Sequence, residues 1–133
     1  MPKIIISEND YTTLFYHTSR RIIHYVIHRS VFGDCYREGM LKGVDLLRKH
    51  GARKWLSDCR NGGAVLSDDV EWSRSEFYPK AVMAGWKYWA VVPPEKMVGQ
   101  LSMKRLAGYF DHPDFKTEFF TDEEKALAWL IQQ

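Results

Sequence analysis

Little in this chain marks it as specialised. Its only cysteines, Cys35 and Cys59, form neither a CxxC pair nor a disulfide framework, and read as reduced thiols of a cytoplasmic protein. Five prolines and nine glycines in 133 residues leave no Pro/Gly/Ser-rich linker and no low-complexity tract. No internal repeat is visible either, so one domain over residues 1–133 is expected, an ordinary domain length. An excess of one charge is also missing: 19 Lys and Arg face 17 Asp and Glu, a net +2. A protein that grips phosphates usually carries a clearer basic surplus, so nucleic acid is not an expected partner. No apolar run approaches the roughly 20 residues that cross a bilayer. Ile4-Ile5-Ile6 is too short for a signal peptide. No membrane span is expected.

What is present is a strand-rich first third. Ile4-Ile5-Ile6 is a β-branched run, Asn9-Asp10 offers turn chemistry, and Tyr11 to His17 is rich in Thr and aromatics. Arg21 to His28 alternates with period two, the mark of a half-buried strand. Asp34 is the expected N-cap of a helix in which Tyr36, Met40, Val44 and Leu47 recur at helical spacing, with Cys35, Leu41 and Leu46 widening the stripe. Gly51 stops it. Lys54 to Asp58 reads as a central strand and residues 59–66 as a loop. A second helix runs from Ser67 to Gly85, started by an Asp68/Glu71 capping box and kinked at Pro79. Tyr88 to Val92 is an apolar run suited to a strand buried on both faces. Residues 95–110 form a helix with Leu101, Leu106 and Tyr109 inward. Phe115 to Phe120 is the last strand, and Thr121 with Glu124 caps a final helix whose inward stripe is Ala126, Trp129 and Leu130. The expected class is α/β: a mixed sheet of N-terminal antiparallel strands followed by β/α crossover units, with four helices.

Several segments resemble the SpoIIAA-like family, also described as STAS-like or STAS–CRAL-TRIO-like. Lys54-Trp55-Leu56-Ser57-Asp58-Cys59-Arg60-Asn61 resembles its kWLxDxRN stretch. Phe120 to Leu130 resembles its FxdxeeAlxWL ending, and Trp86 to Pro93 followed by Gly99 to Ser102 also fits. The resemblance implies a four-turn β/α domain and says little about chemistry; with no complete catalytic set visible, a non-enzymatic regulatory module that binds another protein or itself is expected. It also implies a phosphorylatable serine at a helix N-terminus after a central strand, for which the matching candidate is Ser67. The family's phosphorylated branch has Asp-Ser in a tight loop, whereas this chain reads Ser67-Asp68-Asp69, and two acids would repel a phosphate.

Other constellations are weighed on their chemistry. His24 and His28 lie four apart on a strand, roughly 13 Å along it, too far to share one ion. They are read as solvent-facing, with no metal site. Cys59 has no histidine near it in sequence, so no nucleophile is assigned. Gly62-Gly63 lacks a P-loop lysine, and no cofactor is expected. Asp58, Arg60 and Asn61 sit at the carboxyl end of a central strand, where ligands of α/β sheets bind; Asp58 and Asn61 are equally suited to bonding the loop's own amides. Trp72 and Tyr78 lie off the stripe that contains Val70, Phe77 and Ala81. That second apolar face suggests a homodimer contact. The alternative is a small apolar ligand held between the 67–85 helix and the sheet.

Overall fold

The computed structural model describes residues 2–133. Six strands form one sheet whose spatial order follows the chain: β1 (Lys3–Glu8), β2 (Thr12–His17), β3 (Ile22–Ile27), β4 (Lys54–Asp58), β5 (Tyr88–Val92) and β6 (Lys116–Phe119). β1, β2 and β3 are an antiparallel meander, and β3 through β6 are parallel. The helices are α1 (Gly33–His50), α2 (residues 67–83), α3 (Met97–Gly108) and α4 (Glu123–Ile131). Parallel neighbours laid down in one direction with right-handed crossovers must carry their helices on one face. Accordingly the larger core joins Leu14, Tyr25, Trp55 and Trp89 of the sheet to Tyr36, Val44, Phe77, Met103 and Leu106 of α1, α2 and α3. α4 follows the last strand and covers the opposite face, where Ala126 and Leu130 pack on Ile22, Leu56, Ala90 and Val92. Burial of β5 between these two cores explains its continuous apolar sequence.

The helix boundaries differ from the sequence reading in instructive ways. Asp34 is not a cap: α1 begins one residue earlier, and Phe32 holds the N-cap place without a side-chain bond. The free amide of Gly33 donates instead to Asp69 Oδ2 at 3.0 Å, a partner distant in sequence. α2 likewise starts without the Asp68/Glu71 box, because Leu66 occupies the N-cap position and Asp69 is turned inward. α2 is also not one helix bent at Pro79. It consists of an α segment (Ser67–Trp72), a π turn (Ser73–Phe77) and a second α segment (Tyr78–Met83). Pro79 stands at the start of that last segment, where a missing amide matters little. One extra residue in a helical turn rotates everything after it by about 100°. This rotation brings Tyr78 back toward the core.

In α3 and the two residues after it, Leu101 and Tyr109 are exposed, while Met103, Leu106 and Phe110 are buried. The helix axis is set by Gly99, whose backbone lies against the Pro94 ring so closely that a Cβ would collide with it. At α4 the cap is Asp122 rather than Thr121: its Oδ1 accepts the Lys125 amide at 2.8 Å. Leu41 of α1 is exposed. Gly43 lies on the inner face, where the Trp55 ring fills the space a side chain would need.

Candidate functional site

The site builds outward from the carboxyl end of β4. Asp58 is buried at the strand's last position. Its Oδ1 accepts the Arg60 amide at 3.3 Å and Arg60 Nε at 2.9 Å, and its Oδ2 accepts Nη2 at 2.7 Å. The carboxylate therefore binds both the loop backbone and a two-pronged guanidinium, which raises the Arg60 pKa further. Arg60 Nη2 also reaches Glu123 Oε2 at 3.8 Å. Glu123, the first residue of α4, places the same oxygen 3.6 Å from His24 Nε2. His24 Nδ1 in turn lies 2.9 Å from His17 Nε2. A polar seam thus runs Asp58–Arg60–Glu123–His24–His17, from the end of β4 beneath α4 to the antiparallel strands.

The seam corrects the reading of the histidines as solvent-facing. His28 is exposed, but His17 and His24 are buried and their rings stack with centroids 5.1 Å apart. Alternation along β2 and β3 put them on a face that sequence alone left open to water. α4 closes it. Burial, followed by the facing His24, pushes the His17 pKa down to about 4. The imidazole of His24 is the largest influence holding the Glu123 carboxyl well below its usual range. In the bond between the two rings one nitrogen donates and the other accepts, and Nε2 of His24 faces the Glu123 carboxylate. Among the described residues, no three His, Cys, Asp or Glu side chains gather around a point where one metal ion could bind.

Asn61 and Arg60 border an open polar crevice of about 440 Å³ with His28, Ser30, Gly62, Gly63, Glu95 and Lys96. A Cβ on Gly62 would press on Ile27, and one on Gly63 would push the Ser30 hydroxyl aside. Cys59, next to Asp58, points into the large core; burial pushes its thiol up to about 12.

Ser67 lies apart from this crevice. It is exposed and lines a groove of about 200 Å³ between α2 and α3 with Val65, Val70, Glu71, Ser102, Arg105 and Tyr109. Of the two acids beside it, Asp69 is buried and also bound by Arg37 Nε at 3.3 Å. Asp69 is the polar residue the sequence reading missed: its first-turn position disguised a long-range tie from α2 to α1.

Trp72 and Tyr78, read from sequence as a second, outward face of α2, are half-buried within the chain. Trp72 stacks on Phe77 and meets Tyr36 edge-on, while Arg37 lies over its ring. Tyr78 stacks on Phe110 at 4.3 Å. α1 covers Trp72, and the π turn rotates Tyr78, which follows it, inward against the end of α3. Phe77 is fully core. Only Met83 at the end of α2 remains prominently exposed. The expected ligand space between α2 and the sheet is packed too: the aromatic cluster of Trp55, Phe77, Trp86, Trp89 and Phe110 encloses a void of only about 20 Å³.

The family model for SpoIIAA-like proteins matches residues 22–131, so the chain belongs to the SpoIIAA-like family. Among solved structures, it is similar to an uncharacterised protein of the DUF3478 family with a SpoIIAA-like fold from Shewanella loihica. The TM-score is 0.59 at 18% identity, covering 97% of this chain and 92% of that one. A comparison with curated proteins finds no match. Among the described residues, no helix is long and apolar enough to cross a membrane.

Proposed function

We propose that this chain is a non-catalytic regulatory module of the cytoplasm that docks an acidic, amphipathic segment of another protein on the outer face of α3. One observation carries the reading. Met97, Val98 and Leu101 are 73%, 68% and 57% exposed, and Lys96, Lys104 and Arg105 flank them with no carboxylate between Glu95 and Asp111. Exposed apolar residues rimmed by one sign of charge suit a partner of opposite charge. A protein segment fits better than a flat anionic surface, because the adjoining groove presents Glu71 as well as Arg105. The seam supports a non-catalytic role, since its charges are spent on one another. The free thiols Cys35 and Cys59 agree with a reducing compartment. Phosphorylation of Ser67 would place a dianion beside Arg105 and compete with the acidic segment.

The test uses a labelled helical peptide with Leu at positions i, i+4 and i+7 and Glu on both flanks. Binding should perturb the amides of α3, weaken with salt and be lost in Leu101→Glu. Undisturbed α3 amides, or binding to phosphatidylserine vesicles in place of the peptide, would overturn the reading. A second reading, an apolar ligand carrier, is favoured by a cavity of about 40 Å³ under α3 lined by Tyr36, Met40, Met103 and Leu106. That volume holds about one water, so α3 would have to lift. Titration with oleate that leaves core tryptophan fluorescence unchanged would eliminate it.

A further inference from the structure

β1 ends the sheet, bonded to β2 on one side only. Ile4, Ile5 and Ile6 are 50%, 58% and 37% exposed. Edge strands are normally protected by proline, by a central charge, by a bulge or by a covering element. Residues 4–6 hold none of these residue types, and α1 packs on β2 and β3 rather than on β1. The one irregularity is a bulge. Ile5 is opposite Phe15 while Ser7 is opposite Leu14, which leaves Ile6 as the extra residue.

The bulge has a geometric effect on the strand's charged ends. Lys3 and Glu8 are five residues apart and would lie on opposite faces of a regular strand. With one residue bulged out, Lys3 pairs with His17, Ile5 with Phe15 and Glu8 with Thr13. These partners alternate along β2, so Lys3, Ile5 and Glu8 share one face. Side-chain contacts agree: Lys3 Nζ sits over the Phe15 ring at 4.2 Å, and Glu8 Oε2 accepts from Thr13 Oγ1 at 3.1 Å. Opposite charges now stand at equal ladder distances on either side of Ile5.

We infer that β1 is the interface for a second copy of this chain, paired antiparallel about a two-fold axis at Ile5. In that register Ile5 meets the partner's Ile5, Lys3 meets the partner's Glu8, and Glu8 meets the partner's Lys3. A two-fold perpendicular to the sheet keeps each face on its own side, so both ion pairs need Lys3 and Glu8 on one face. The bulge satisfies that condition. The product is one continuous sheet of both copies, and the two-fold closes the assembly, whereas pairing of β1 with a β6 edge would propagate. Homodimerisation thus rests on the sheet edge and not on α2, and it does not depend on what α3 binds.

Sedimentation over a wide dilution range tests the assignment, with circular dichroism verifying the fold of each variant. The wild type should dimerise. Ile5→Lys, which sets like charges against each other at the axis, should be monomeric and folded. Lys3→Glu should weaken the dimer about tenfold, and the double variant Lys3→Glu/Glu8→Lys should recover most of that loss. Recovery separates a specific two-fold register from a merely sticky edge. A wild type monomeric at millimolar concentration, a dimer untouched by Ile5→Lys, or concentration-dependent filaments would overturn the proposal.

Discussion

His17 Nε2 lies 2.9 Å from His24 Nδ1, with both rings buried beneath the start of α4. One hydrogen bond joins the two imidazoles, and the Glu123 carboxylate faces the outer one. The pair therefore links the docking of α4 to pH.

Below pH 6.5 the unfolded chain protonates His17 while the folded chain resists until about pH 4. The unfolded state binds more protons in that window, so stability is intact above about pH 6.5 and falls as pH drops toward 4, by about 3 kcal/mol. Glu123 acts in the same direction lower on the scale: its contribution is present above the ordinary carboxylate pKa and is lost as pH falls through its depressed value. His17→Asn keeps a donor for His24 and removes the titration. Urea midpoints at pH 7 and pH 5 should differ less in this variant than in the wild type. Equal differences would refute the assignment.

Asp58 holds the β4 loop through the Arg60 amide and guanidinium. Asp58→Ala should destabilise by about 1–3 kcal/mol, because a buried acceptor is removed from charged and backbone donors. Arg60→Ala should cost less, since its side chain is partly in water. An unchanged denaturation midpoint in Asp58→Ala would contradict the seam.

Two glycines should respond oppositely to the same substitution. Alanine favours a helix by about 1 kcal/mol, yet Gly43→Ala puts a methyl into the buried Trp55 ring and should cost about 1–3 kcal/mol net. At Gly108 nothing lies near the new methyl, and Gly108→Ala should stabilise by about 0.4–1 kcal/mol. Thermal melts of the two variants decide the sign.

The thiols should differ in reactivity. Cys59 is buried and its pKa is pushed up to about 12, so thiolate is scarce near neutral pH. Cys35 is half-exposed. Brief maleimide treatment of the native protein followed by peptide mass analysis should find label on Cys35 alone. Labelling of Cys59 at a similar rate would mean that the core around it opens readily.

Much of the architecture was legible because it is written in local pattern. Period-two alternation marked β3, the stripe of Tyr36, Met40, Val44 and Leu47 marked α1, and the apolar run at Tyr88 to Val92 marked a strand buried on both faces. The order of elements follows from these segments, and the crossover rule supplies the parallel sheet. The place of Asp58, Arg60 and Asn61 at the end of β4 was legible too, since the end of a central parallel strand is a position that sequence order predicts.

The rest depended on contacts between segments distant in the chain. Asp69 was indistinguishable from a first-turn acid until α1 brought the Gly33 amide to it. His17 and His24 were exposed or buried according to where α4 came to rest, which no periodicity in β2 or β3 encodes. The π turn in α2 moved Tyr78 from an outer face to an inner one by a single extra residue, and α1 came to cover Trp72, changes invisible to a stripe counted at 3.6 residues per turn. The sequence by itself determined which segments are helix and strand, because backbone propensity and apolar spacing act over a few residues. Only the tertiary structure decided which faces are covered, because burial is a property of neighbours that the chain meets after folding.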